Sequence, residues 1–312
     1  MPSIARRLTA TPAIVALGLV LVACSTPPPS PGPSGPSSPS APSSPSPAST
    51  PGASPSPAAG AALLLRVTTE GGFIAPAATL AAIPEVSVYA DGRIMTPAPS
   101  DLSLPGPLLP TVAVRDVGAD GARAIVAAIR AAGLDAASDG GSDGIPGDTG
   151  TTVFAVNVDG HVVTTRLVLG GGTPGLPGGL ASPGPAAQAA TALLDRLEDT
   201  SETWGANSVR SSTFQPNAYR VFAAPGAPNG QDASSAPTVA WPLATPLASF
   251  GAPAVPDRGI AGLRQGAVFG GDAAALGPIL AAANSQTAFI SGGMLYTLFV
   301  RPLLPDEVPA QG

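Results

Sequence analysis

The chain of 312 residues contains one histidine, His161, so any reaction that relies on an imidazole base must use it. A serine hydrolase would combine this imidazole with a hydroxyl nucleophile and a carboxylate. His161 follows the dipeptide Asp159-Gly160, which is typical of a tight turn whose side chains are exposed to solvent. We therefore interpret His161 as a solvated turn residue. A secreted hydrolase that uses it is the alternative function.

Four aspartates lie in a glycine-rich segment between two predicted elements: Asp135, Asp139, Asp143 and Asp148. Carboxylates interleaved with glycine can cradle calcium, although this spacing does not match an EF-hand loop. Asp139, Asp143 and Asp148 are therefore the calcium candidate, and a solvated connection is the simpler interpretation. With one histidine and one cysteine the chain cannot assemble the usual zinc shell, and we expect no cofactor.

The charge of the chain argues against nucleic acid as a partner. All 14 basic residues are arginine, and 20 acidic residues give a formal net charge of −6. Removing a leader that contains Arg6 and Arg7 changes this to −8, because two positive charges leave. No basic run provides a phosphate-binding surface. The chain also has no lysine, so none of its glycine runs can be a phosphate loop ending in Gly-Lys.

The amino terminus has the three parts of a secretory signal over residues 1–23. Arg6 and Arg7 come first, an apolar run extends from Ala13 to Val22, and small residues precede a cut. The run is too short to span a membrane stably. Arg6-Arg7 also fits a twin-arginine export signal, but the flanking Ser and Phe of that pattern are missing, so both export routes remain open.

The leader ends in Leu21-Val22-Ala23-Cys24, which resembles the lipobox of bacterial lipoproteins at every position. The resemblance implies cleavage before Cys24, a diacylglyceryl thioether on its sulfur, and fatty acylation, such as palmitate, of the new amino terminus. Two or more acyl chains anchor a protein stably, whereas one is marginal. We expect a lipid anchor on the extracytoplasmic face of the cell membrane.

Residues 24–60 contain almost only Pro, Ser, Ala, Gly and Thr after the cysteine, without a charge or an aromatic residue. Such a segment cannot form a core, and we expect a disordered tether. Frequent proline favours extended polyproline II, so the segment could hold a domain up to ~100 Å from the bilayer at about 3.1 Å per residue. A role as a proline-rich recognition segment or glycosylated stalk stays open.

The remainder, residues 61–312, predicts strands, hairpins and helices. Leu63 to Thr69 reads as a strand. Val86 to Thr96 reads as a hairpin with a tight, two-residue primed turn, because Asp91-Gly92 suits the positive φ angles of that turn. Other strands are predicted at 219–223, 266–269 and 294–301, and helices at about 120–132, 185–198 and 272–283. Pro278 must kink the last helix or start it afresh.

A second hairpin at 154–164 superposes on the first at an offset of 68 residues, and an Ala/Leu-rich helical pattern follows each one. This repetition suggests a duplicated strand-strand-helix unit. Since strands outnumber helices without strict alternation, we predict an α+β fold. Two or three helices would lie on one face of a mainly antiparallel sheet. The folded part is one domain or two subdomains, about 61–200 and 201–312.

Four segments of the body resemble lipoproteins of the actinomycete type: Gly71 to Pro76, Val86 to Arg93, Trp241 to Leu243 and Arg301 to Glu307. The likeness covers most of residues 64–307. It implies a lipoprotein and brings no activity or site residue with it. We therefore expect a membrane-anchored cell-envelope protein that is a non-catalytic binding or structural module, with an envelope ligand or partner that the sequence does not identify.

Overall fold

The computed structural model describes residues 62–72, 76–99, 104–136, 150–169, 184–228, 236–255 and 259–309. Within these ranges the chain forms 13 strands and four helices. The predicted α+β class and mainly antiparallel pairing are confirmed, with the strands divided between two sheets. Both sheets belong to one compact unit, Ser54–Gly312.

The first sheet has seven strands in the order β6-β5-β1-β2-β3-β4-β7, and every neighbouring pair is antiparallel. The central position of β1 between β2 and β5 joins the two predicted hairpins into one sheet. The strands are β1 (Leu63–Gly71), β2 (Val86–Tyr89), β3 (Arg93–Pro97), β4 (Val112–Asp116), β5 (Gly150–Val158), β6 (His161–Leu167) and β7 (Arg210–Thr213).

The second sheet has six strands in the order β10-β11-β8-β13-β12-β9. Strand β9 runs parallel to β12, and the other described pairings in this sheet are antiparallel. The strands are β8 (Ala218–Pro225), β9 (Thr238–Ala240), β10 (Ala252–Pro253), β11 (Arg264–Phe269), β12 (Ala288–Ser291) and β13 (Met294–Pro302).

Four helices accompany the sheets: α1 (Pro76–Leu80), α2 (Gly118–Ala131), α3 (Pro185–Glu198) and α4 (Gly270–Ala282). Helices α2 and α3 pack on one face of the first sheet, because their apolar stripes share a core with alternate residues of β1, β2 and β5. The buried contacts include Ile125, Ile129, Leu193, Leu197, Leu65, Val88 and Phe154. Helix α4 packs on the second sheet through Ala273, Leu276 and Leu280.

A buried arginine fixes the carboxyl end of α3 against the first sheet. Arg115, on β4, is only 8% exposed, and its guanidinium donates hydrogen bonds to the carbonyl oxygens of Leu197 at 2.7 Å and Glu202 at 3.3 Å, and also to that of Asp199. Carbonyls at a helix end lack partners within the helix and carry partial negative charge, so a cation is stabilising there. Arg115 thus caps the carboxyl end of α3 and the residues that follow it.

The two Asp-Gly hairpins use different turns. In the second, Asp159 and Gly160 have φ of 56° and 78°, and Val158 pairs with His161, as expected for a two-residue primed turn. In the first, only Gly92 has positive φ, at 95°, and the loop has three residues because Val88 pairs with Ile94. The predicted two-residue turn is wrong for this hairpin.

The reason lies in what Gly92 touches. A Cβ on Gly92 would lie 2.2 Å from the carbonyl oxygen of Gly118, and the Gly92 carbonyl accepts a hydrogen bond from the Val117 N–H at 3.0 Å. The start of α2 therefore packs directly on this turn and selects its shape.

The two halves of the suggested duplication differ in their order of elements. Strand β4 lies between the first hairpin and helix α2, whereas α3 is the next described element after the second hairpin.

Candidate functional site

A cavity with a volume of about 480 Å³ lies beside α4. We call it the α4 pocket. Helix α4, the start of β8 with the preceding loop, and a residue near the carboxyl end all contribute to it. Its lining consists of Leu109, Gln215, Pro216, Asn217, Tyr219, Phe269, Gly270, Ala273, Ala274, Gly277, Pro278, Ala281 and Val308. No charged side chain is among these described lining residues.

Small residues at helical spacing form the α4 side of the pocket. Ala274, Gly277 and Ala281 recur at intervals of three and four, so they lie on one face of the helix. A Cβ at Gly277 would lie 2.6 Å from the hydroxyl oxygen of Tyr219, so a larger residue here would have to displace that side chain. The glycine thus allows the tyrosine to reach the pocket wall.

Tyr219 provides a buried hydroxyl at the wall. Its side chain is 5% exposed, and the hydroxyl donates to the Pro216 carbonyl oxygen over 3.5 Å, which is long for an O–H donor. Burial raises the pKa of Tyr219, so the phenol stays protonated at neutral pH. A ligand in the pocket could therefore exchange this weak contact for a shorter hydrogen bond.

Pro278 leaves a second polar group at the wall. The proline lies inside α4, which continues from Gly270 to Ala282, so the helix does not start afresh there. Because proline has no N–H, the carbonyl of Ala274 lacks the donor four residues along the helix. Ala274 and Pro278 both line the pocket. Neutral donors and acceptors, namely a phenol, a carbonyl and the exposed amides of Gln215 and Asn217, thus accompany apolar walls.

A smaller cavity of about 180 Å³ surrounds the histidine: its lining is Asp135, Val156, Val158, Asp159, His161 and Val163. His161 is exposed, as predicted. Asp159 forms an ion pair with Arg130 at the adjacent end of α2. The structure therefore brings two carboxylates near the imidazole, but the described lining includes no hydroxyl or thiol that could act as a nucleophile.

Several residues singled out in the sequence lie outside the described residues: Leu21, Val22, Ala23, Cys24, Asp139, Asp143 and Asp148. Asp135, the first aspartate of the glycine-rich segment, is described, and it lines the histidine cavity. In the described part of the chain, no group of three or more His, Cys, Asp or Glu side chains is arranged to hold a metal ion.

Two glycine motifs were missed in the sequence reasoning, and both lie outside the described residues. Gly140 to Gly144 has the Gly-x-Ser-x-Gly spacing around Ser142, and Gly170 to Gly175 has dinucleotide-binding spacing. The first occurs after a helix and before a strand, the reverse of the strand-turn-helix order that a nucleophile elbow requires. The second follows β6, an antiparallel strand, whereas the dinucleotide fingerprint needs a parallel βαβ unit.

A cluster of charges holds the carboxyl-terminal turn, Pro305–Glu307, next to the pocket. Arg66 of β1 donates to both carboxylate oxygens of Asp306 at 2.9 Å, and the Tyr89 hydroxyl donates to one of them at 2.7 Å. Arg301 donates to both oxygens of Glu307 at 2.7 Å. We call these five side chains the C-terminal ion cluster. It joins two strands of the first sheet, β1 and β2, and strand β13 of the second sheet to one turn.

Burial and pairing shift two pKa values within the C-terminal ion cluster. Burial, reinforced by hydrogen bonding to the Asp306 carboxylate, raises the pKa of Tyr89 well above its ordinary value. Burial would also raise the pKa of Glu307, but the hydrogen bonds and charge of Arg301, with the Leu304 N–H, outweigh it and hold this pKa below its usual range. Val308, the next residue, lines the α4 pocket.

Within the described ranges, no helix has both the length and the apolar character needed to cross a membrane. Comparison of the chain with protein-family models, curated proteins and solved structures found no match.

Proposed function

We propose that the chain is a lipoprotein of the cell envelope, anchored by lipid on Cys24, whose folded part binds a ligand without changing it chemically. The anchor is supported by the lipobox-like segment Leu21 to Cys24 at the end of an apolar leader. The proline-rich residues 24–60 would then hold the binding part away from the bilayer.

The α4 pocket is the observation that carries the binding function. Its volume of about 480 Å³ falls in the range of small-molecule sites, roughly 300–1,000 Å³. Such sites are mainly apolar, with a few polar groups that fix orientation, and the walls around Tyr219 have this character. The described lining contains no acid–base pair, which favours binding over catalysis.

Anchoring is tested on the mature protein from its own membranes. Mass spectrometry of the amino-terminal peptide should find Cys24 as the first residue, carrying a diacylglyceryl thioether. Replacing the cysteine, Cys24→Ala, should abolish the lipid and its palmitate labelling. An unmodified sulfur in the mature wild-type protein would refute the anchor.

Binding is tested on the mature-length chain, residues 24–312, made soluble by Cys24→Ser. The uncharged fluorescent probe N-phenyl-1-naphthylamine is titrated into this protein and two variants. Ala274→Phe fills the pocket, and Ala275→Phe places the same ring on an exposed neighbour that does not line it. We expect at least a tenfold weaker affinity for Ala274→Phe alone. Equal affinities in both variants, or no binding by the parent chain, would refute the pocket as the site.

The alternative, a secreted hydrolase, is supported by the position of His161 beside Asp135 and Asp159. The same protein is assayed against a panel of ester, amide and glycoside substrates, together with His161→Ala and Ser142→Ala. Turnover that both substitutions abolish would establish the hydrolase and replace the binding proposal.

A further inference from the structure

The absence of charged side chains from the described lining of the α4 pocket indicates which class of ligand it accepts. We infer that it takes an uncharged, mainly apolar small molecule that carries at least one O–H or N–H group. This inference rests on the proposed binding function and deepens it. It follows from three properties of the pocket: the absence of a counter-charge in its described lining, the shape of its walls, and the kind of polar group they expose.

An ionised ligand would find no charged side chain as a partner in the described lining. Moving a charged group out of water into a partly closed site costs several kcal/mol unless a counter-ion or several hydrogen bonds replace the water. The described lining contains no Asp, Glu, Arg or His side chain. The nearby charges of the C-terminal ion cluster are already paired with one another, Asp306 with Arg66 and Glu307 with Arg301.

The walls suit an apolar body. Ala274, Gly277 and Ala281 give α4 a low surface with no long side chain projecting from it, so a planar group could lie close to the helix. Leu109, Phe269 and Val308 add branched and aromatic surface, all of them partly buried. Covering this surface removes apolar area from water, at roughly 25 cal/mol per Å².

Two polar groups at the pocket wall, the Ala274 carbonyl and the Tyr219 hydroxyl, are the reason to expect a hydrogen-bond donor on the ligand. The Ala274 carbonyl lacks its N–H partner because Pro278 cannot provide one, and it can accept a hydrogen bond from a ligand. The Tyr219 hydroxyl can both donate and accept, and its present contact with Pro216 is long, at 3.5 Å. A hydroxyl or amine on the ligand could use both groups.

The inference is tested by competition on the mature-length Cys24→Ser chain. N-phenyl-1-naphthylamine is bound first and then displaced by three molecules with the same ring and different charge at pH 7. These are 1-naphthylmethanol, which is neutral, 1-naphthoate, which is an anion, and 1-naphthylmethylammonium, which is a cation. Both ions are needed because the net negative charge of the chain alone would disfavour an anion. 1-Methylnaphthalene, which has no donor, is the fourth competitor.

We expect the alcohol to displace the probe at a concentration at least tenfold lower than either ion, and several-fold lower than 1-methylnaphthalene. Displacement by either ion as strong as by the alcohol, with Ala274→Phe still abolishing probe binding, would overturn the inferred ligand class and leave the binding function intact. Equal displacement by 1-methylnaphthalene would overturn the donor requirement. Probe binding that Ala274→Phe does not weaken would overturn both the inference and the proposed function.

Discussion

The α4 pocket and the C-terminal ion cluster are neighbours along the chain but opposite in chemistry. Val308 lines the pocket, and Glu307, one residue earlier, is held by Arg301 in the cluster. In the cluster, side chains about one-fifth exposed or less satisfy one another with charge-assisted hydrogen bonds. In the pocket, the neutral Tyr219 hydroxyl makes one long contact, 3.5 Å, with the Pro216 carbonyl oxygen. From this difference we expect the cluster to maintain the fold, and the pocket to be the part that serves the proposed binding function.

The largest expected effect comes from breaking the cluster. Glu307→Ala leaves the Arg301 guanidinium, which is 17% exposed, without its carboxylate. Removing one partner of a largely buried pair is strongly destabilising, so we expect a loss of about 3 kcal/mol in the free energy of unfolding, measured by urea denaturation. The control is Asp120→Ala, which removes an exposed pair with Arg123 and should cost under about 0.5 kcal/mol. Equal effects would contradict the structural role of the cluster.

The next effect is a dependence of the free energy of unfolding on pH. We expect stability to fall at alkaline pH (the alkaline flank) and at acid pH (the acid flank). Because the pKa of Tyr89 is raised in the folded state, its contribution to the free energy of unfolding is complete below the unfolded pKa of 10.0. Above that pH the contribution is lost at about 1.4 kcal/mol per pH unit. The lowered pKa of Glu307 means that its contribution is complete above the unfolded value of 4.5. That contribution is lost as the pH falls through the lower folded value.

Tyr89→Phe should make the alkaline loss of stability shallower, and the raised pKa of Tyr219 supplies part of what is left. Glu307→Gln should likewise reduce the acid loss, to which the lowered pKa of Asp116 also contributes. Urea denaturation at pH 3 to 11 measures both. An alkaline loss of stability as steep in Tyr89→Phe as in the parent chain would mean that Tyr89 does not contribute to it.

A smaller effect is expected at Gly277, where the α4 pocket meets the apolar core of the second sheet. Gly277→Ala should gain helix propensity, about 1 kcal/mol, and lose a similar amount because its Cβ meets the Tyr219 hydroxyl. Alone it should be nearly neutral, whereas in a Tyr219→Phe background it should stabilise the protein. A double-mutant cycle should give a coupling of about 1 kcal/mol. No coupling would place the hydroxyl away from Gly277.

The smallest expected effect on stability is in the pocket itself. Ala274 is exposed and its side chain is not part of a core, so Ala274→Phe should change the free energy of unfolding by no more than about 0.5 kcal/mol. The same substitution should abolish probe binding. A large destabilisation would show that this surface serves the fold, and would weaken the contrast between pocket and cluster.

Local patterns allowed much of the fold to be predicted. The helices around Ile125 and Leu193 follow from apolar spacing near 3.6, and the predicted bounds of α3, Pro185 to Glu198, match the structure. Strand β4 was not predicted, and neither was β7, whose four residues are all exposed and show no alternation. The turn at Asp91-Gly92 also differs from prediction, because contact with the start of α2 outweighs the local preference of the dipeptide.

Neither the pocket nor the cluster could be predicted from local patterns. Arg66 and Asp306 are separated by 240 positions, and no spacing rule connects them before the two sheets are in place. The position of the pocket is set by the face of α4 that does not pack on the second sheet, and this face is known only once the helix and the sheet are in place. The one local signal was the pair Gly277-Pro278 inside an Ala-rich helix, which the sequence predicted only as a kink or a restart.

The most direct test of the central claim is a crystal structure of the mature-length Cys24→Ser chain with 1-naphthylmethanol. The account predicts the naphthalene ring against Ala274, Gly277 and Ala281, with the alcohol within hydrogen-bonding distance of the Tyr219 hydroxyl or the Ala274 carbonyl oxygen. A ring bound in the cavity around His161, or an α4 pocket that holds only water at saturating ligand, would contradict it.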